Sequence, residues 1–132
     1  MRIYVFGNED LEEDNVAFKV ADKISREFPG IEFIKIKPNQ DINFDGEQVL
    51  LMDVVEGIGE TTILDEKDLD KITLSPRMSA HDFDLGFQLK YLKKLGKLEK
   101  IKTIGLPMKK KINYERIQLI FKKLVAQDMQ GS

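Results

Sequence analysis

The sequence of 132 residues contains no cysteine and no tryptophan, and a single histidine. Without cysteine there is no disulfide framework, no thiolate metal site and no cysteine nucleophile. Long apolar runs are also missing. The longest, such as Val49-Leu50-Leu51-Met52, fall far short of the roughly 20 residues a membrane helix needs, so no membrane span is expected. The opening Met1-Arg2-Ile3-Tyr4-Val5-Phe6-Gly7 reads as a strand, not as a charged segment followed by an apolar stretch and a cleavage site. No secretory signal is expected, and the expected compartment is the cytoplasm. Several catalytic signatures are absent too. Gly7-Asn8-Glu9-Asp10-Leu11 lacks the glycine spacing and the lysine of a phosphate loop, and its acids would repel phosphate. No Gly-x-Ser-x-Gly elbow and no His-Glu-x-x-His pair occurs, which argues against a serine triad of that type and a zincin site.

What remains is 42% hydrophobic and 33% charged, the composition of one compact domain over residues 1–132. The net charge of −2 hides an asymmetry: residues 1–66 hold 6 Lys/Arg against 16 Asp/Glu, residues 67–132 hold 15 against 7. The acidic half is unsuited to nucleic acid. The basic half has Lys90, Lys93, Lys94, Lys97, Lys109, Lys110 and Lys111 without interleaved stacking aromatics. A solvated or partner-facing surface is expected there, not nucleic-acid binding.

Periodicity divides the chain into alternating strands and helices. Arg2 to Phe6 is a β-branched and aromatic run ended by Gly7-Asn8. From Asp14, Val16, Val20, Ile24 and Phe28 recur four apart, forming a helical stripe that Pro29-Gly30 stops. Strands are expected over Ile31 to Ile36 and Gln48 to Val55, the second apolar enough to be buried on both faces. Shorter strands are expected at Thr61 to Leu64 and Lys71 to Leu74, with a further extended piece at Ile42 to Phe44. A helix follows over Asp82 to Leu95, a strand over Ile101 to Leu106 and a last helix over Tyr114 to Gln127; Gly131-Ser132 carry no weight. This alternation predicts an α/β domain, a mostly parallel sheet made mixed by a middle hairpin and covered on both faces.

Ligands of open α/β sheets bind outside the carboxyl ends of the strands. Three such ends carry ionisable groups. Gly7, Asn8, Glu9, Asp10, Glu12, Glu13 and Asp14 follow the first strand, Asp53 ends the buried strand, and His81 follows the loop after Leu74. Each has a structural reading beside a functional one. Asp14 and Glu13 are favourable charges at a helix start, which accounts for one of them; the four further acids in that loop are not explained this way. Asp53 is costly as a buried charge unless it reaches a partner; it either caps a turn or binds backbone amides near Gly57, or serves a site. His81 stands two residues after Ser79 in a sequence that resembles a helix start, where the ring is either simply exposed or, kept neutral, available as a metal ligand.

Taken in order, these segments resemble the hydrogenase maturation endopeptidases, which process the large subunit of nickel–iron hydrogenases. The resemblance rests on Gly7-Asn8-Glu9-Asp10-Leu11-Glu12-Glu13-Asp14, on Val49 to Val55 with Asp53 and the following Gly57, on Leu74 to His81, and on Lys102-Thr103-Ile104-Gly105-Leu106-Pro107. It implies a three-layer αβα sandwich with a sheet of about five strands. It further implies that Asp14, Asp53 and His81 contact nickel, with Gly7, Asn8 and Glu13 supporting the first loop. Nickel would arrive with the large-subunit precursor, whose C-terminal extension is then removed. The nucleophile is not identified.

Asn15 and Ala17 stand where the family often has glycines, and the chain is shorter than usual in the middle and near its end. These departures keep two alternatives in view: a non-catalytic metal-sensing binding or chaperone module on the same fold, and a self-contained metallohydrolase for a small substrate.

Overall fold

The computed structural model describes residues 1–6, 15–36, 48–55, 58–65, 100–107 and 111–131. They form five strands, β1 (Arg2–Phe6), β2 (Glu32–Ile36), β3 (Gln48–Val55), β4 (Thr62–Leu64) and β5 (Lys100–Pro107), and two helices, α1 (Val16–Glu27) and α2 (Tyr114–Gly131). The sheet order is β2-β1-β3-β5-β4. All neighbours run parallel except β4, which lies antiparallel to β5. The fold is therefore the mostly parallel, mixed five-stranded α/β arrangement that the alternation predicts.

β1 and β3 match their expected limits residue for residue. β3 is buried on both faces, with Leu51, Met52, Val54 and Val55 all inaccessible, as a continuous apolar run requires. In α1 the buried residues are Ala17, Phe18, Val20, Ala21 and Ile24, and all but Phe18 keep the spacing of one helical stripe. The helix ends where Phe28 N–H donates to Ile24 O at 3.0 Å. A tight turn follows, closed by Ile31 N–H on Phe28 O at 3.0 Å; Pro29 has no N–H with which to prolong the helix. The expected helix over Tyr114 to Gln127 starts where predicted and runs on to Gly131. The expected strands at 42–44 and 71–74 and the helix over 82–95 lie outside the described residues.

Side chains alternate across the sheet. On one face Ile3, Val5, Met52, Val54, Ile104 and Leu106 join α1 and the α2 residues Ile117, Phe121 and Leu124 in a single core. Phe121 is the largest fully buried side chain there, its ring 6.0 Å from Phe28 and 5.8 Å from Phe33. The opposite face carries Tyr4, Phe6, Leu51, Asp53, Val55, Thr103 and Leu64, and these are buried too. No helix among the described residues is long and apolar enough to cross a membrane.

Candidate functional site at the first crossover point

The strand order decides where a site can lie. From β1 the chain crosses to β2 on one side, while β3 occupies the other, so connections diverge at the carboxyl ends of β1 and β3. Such a point of divergence leaves a crevice between the loops and is where ligands of open α/β sheets bind.

Asp53 stands at that point. It is the sixth residue of β3. The pairing of β1 with β3 sets Val5 beside Met52, and one further step along the same register brings Phe6 beside Asp53, roughly 4.8 Å away across the strands. β1 thus ends next to Asp53. The described residues resume at Asn15, whose carbonyl accepts the Lys19 amide at 3.2 Å to open α1. Asn15 itself makes no side-chain cap, and the first turn of α1 contains no acid. Ala17 is wholly buried against the sheet, so a methyl group is accommodated at that turn.

The Asp53 side chain is 7% exposed. Its Oδ1 accepts the Val54 amide at 2.8 Å, a bond between the carboxylate and its own strand that holds the side chain close to the backbone. The structural reading of Asp53, a carboxylate on a backbone amide, is therefore realised, but at Val54. The position at the crossover point is realised at the same time, and the two roles are compatible because a carboxylate has two oxygens and several acceptor sites.

Two residues of β5 complete the described surroundings. Gly105 pairs directly with Asp53, and Thr103 with Leu51 two places earlier. Thr103 is 4% exposed, and its Oγ1 meets no hydrogen-bond partner among the described residues. A β-carbon placed on Gly105 would lie 3.1 Å from Leu64 Cδ1, 3.2 Å from Ile58 Cδ1 and 3.2 Å from Val55 Cγ2. Periodicity alone does not mark either residue. The available signal is a glycine inside a strand, which indicates that something approaches the backbone closely.

The segment between β3 and β4 is tied to the start of α2. Asn113 Oδ1 accepts the Arg116 amide at 3.2 Å, Arg116 Nε donates to Thr61 O at 2.6 Å, and Arg116 Nη2 lies 3.4 Å from Glu60 Oε1. Ile58, next to Gly105, lies two residues before Glu60.

Of the residues singled out in the sequence, Asp53 is the one placed. Asp14, His81, Gly7, Asn8 and Glu13 lie outside the described residues. No group of three His, Cys, Asp or Glu side chains that could hold a metal is assembled among the described residues.

Comparison with known proteins bears on the same residues. A family model described as HycI, hydrogenase maturation protease, matches residues 38–130, a span that contains Asp53, His81 and Gly105 and begins after Asp14. Among solved structures, the chain is similar to the hydrogenase maturating endopeptidase HybD from E. coli, with 16% identity over 81% of this chain and 74% of that one and a TM-score of 0.56. It is similar to the solution structure of an endopeptidase from Escherichia coli, with 17% identity over the same shares and a TM-score of 0.56. At such identities these two likenesses establish the fold. No curated protein matches in sequence. The fold with Asp53 at its crossover point, and a family match over most of the length, lead to one assignment: the chain belongs to the hydrogenase maturation protease family.

Proposed function

We propose that this protein is the endopeptidase that removes the C-terminal extension of a nickel-loaded [NiFe] hydrogenase large-subunit precursor in the cytoplasm. The single observation that carries the reading is the placement of Asp53. A carboxylate in a mostly apolar strand stands at the carboxyl edge, beside the end of β1, within the stretch that matches the family.

In this reading nickel belongs to the substrate. Asp53, Asp14 and His81 supply two carboxylates and one imidazole, a donor set suited to a divalent metal of intermediate softness, and three protein donors leave other coordination positions for the precursor's own ligands. Gly7, Asn8 and Glu13 shape the segment that brings Asp14. The role of this chain is then recognition and positioning. Holding the metal holds the adjoining peptide, and a fixed geometry converts an encounter into an effectively unimolecular attack on one bond. The bond from Val54 N–H to Asp53 Oδ1 restricts the side chain before substrate arrives, which lowers the ordering cost of binding.

The test is to mix the purified protein with a hydrogenase large-subunit precursor, with and without nickel loaded, and follow the precursor's mass. Nickel-dependent loss of a C-terminal peptide is the expected result. Binding of a matched, loaded precursor without shortening would overturn the proposal in favour of a non-catalytic binding module. Hydrolysis of small substrates by a protein that retains its own metal would overturn it in favour of a self-contained hydrolase.

A further inference from the structure

We propose that Gly105 is a positioning residue for Asp53. Its missing side chain lets Val55, Leu64 and Ile58 close over β5, and that packing sets the carboxyl end of β3. The inference rests on the reading of Asp53 as the group that meets the substrate.

Gly105 and Asp53 are direct partners in the parallel pairing, so their Cα substituents project to the same side of the sheet. Val55, two residues beyond Asp53, projects to that side as well. So does Leu64, whose partner Thr103 is two residues before Gly105. The position a Gly105 side chain would occupy is already crowded by one atom from each of three side chains, at 3.1 to 3.2 Å from where a β-carbon would stand.

These neighbours differ in their freedom to yield. The Leu64 and Ile58 atoms are the ends of longer side chains. Val55 Cγ2 is a branch on a β-carbon in a strand, with a stiff first torsion, so pressure on it passes to the β3 backbone one residue away from the Val54 amide that Asp53 holds. Nor can Ile58 simply retreat with its segment, because Arg116 pins Thr61 and Glu60 to α2. A β-carbon at position 105 would therefore move the end of β3 by a few tenths of an ångström, together with the carboxylate it carries. A misplacement of about 1 Å at a reacting centre costs on the order of 100-fold in rate, so this smaller shift is expected to cost about 3- to 10-fold.

The experiment compares Gly105→Ala, Val55→Ala and the double variant. The Val54 amide proton resonance reports the bond to Asp53 Oδ1 without substrate or nickel; precursor processing reports kcat and KM. In Gly105→Ala the Val54 amide is expected to shift upfield as its bond lengthens, with kcat falling about 3- to 10-fold and KM within about twofold. The double variant removes the rigid contact and is expected to return both readings to those of Val55→Ala. An unmoved Val54 resonance with a normal kcat in Gly105→Ala would overturn the inference, as would a double variant no better than the single one. If Gly105→Ala does not fold, the double variant decides: folding with the Val54 resonance of Val55→Ala supports the role of the Val55 contact, and failure to fold refutes it. A shifted resonance in a protein whose wild type processes no precursor would leave the positioning intact and overturn the protease reading instead.

Discussion

Replacing Asp53 by asparagine separates its two roles. Asparagine keeps a side-chain oxygen where Oδ1 accepts the Val54 amide at 2.8 Å, so the bond to the strand survives and the negative charge is lost. Alanine removes both. The Val54 donor then loses the acceptor it has at a position only 7% exposed, and leaving a buried donor unsatisfied costs about 1–3 kcal/mol. In urea titrations the Asp53→Asn protein is expected to stay within about 1 kcal/mol of wild type, while Asp53→Ala falls about 1–3 kcal/mol below it. Processing is expected to behave differently, because both variants lack the charge proposed to meet nickel. Each is expected to lose at least about 100-fold in rate, equivalent to about 2.7 kcal/mol of barrier. The assay is the mass of a nickel-loaded precursor followed over time, beside the urea curves of the same preparations. A normal processing rate in Asp53→Asn would refute the role assigned to the carboxylate. Equal destabilisation of the two variants would refute the account of the Val54 bond.

Other consequences follow from the same contacts. Phe121→Ala empties a fully buried ring site that touches Phe28 and Phe33, and a loss of about 3–5 kcal/mol is expected in chemical denaturation; a loss below about 1 kcal/mol would mean that α2 is not anchored through this ring. Arg116→Ala removes the bond to Thr61 O and the contact with Glu60. Because that side chain is partly exposed, the expected cost is only about 1 kcal/mol, accompanied by faster amide exchange over residues 58–65 than over β1; unchanged exchange would exclude the tether. If nickel enters with the precursor, the purified protein should retain well under one equivalent of metal by elemental analysis, and a stoichiometric resident metal would contradict the proposed order of arrival.

Local pattern was enough for some of the structure and not for the rest. β1 and β3 were legible because each is a short apolar run bounded by polar or turn residues, and α1 because its inward residues recur at helical spacing up to Pro29-Gly30. Strand order was not legible in this way. That β3 lies beside β1, and not beside β2, which precedes it in the chain, depends on contacts between residues distant in sequence. This neighbour relation is what puts Asp53 at the crossover point. The family resemblance supplied the grouping of Asp14, Asp53 and His81, and the structure describes one of the three. The crowding over Gly105 comes from Val55, Ile58 and Leu64 on three different stretches of chain, and no local spacing relates them.

The direction of β4 bears on how a third donor could join the site. Thr62 pairs with Gly105 and Leu64 with Thr103, so the chain leaves β4 heading toward the amino edge of the parallel strands. β5 then begins at that same edge, where Lys100 faces Gln48. Leu64, the last residue of β4, stands through Thr103 level with Leu51, two residues below Asp53, so a His81 that meets Asp53 requires a short rise from β4 and a longer descent to Lys100. Two strand residues span about 7 Å, and the chain from Asp65 to His81 can extend to roughly 50 Å, so covalent reach allows the rise with length to spare. A parallel strand in the place of β4 would have ended at the carboxyl edge and offered a shorter route. The antiparallel direction of β4 therefore points the chain away from the edge where Asp53 stands. Strand pairing by itself brings only the end of β1 beside Asp53.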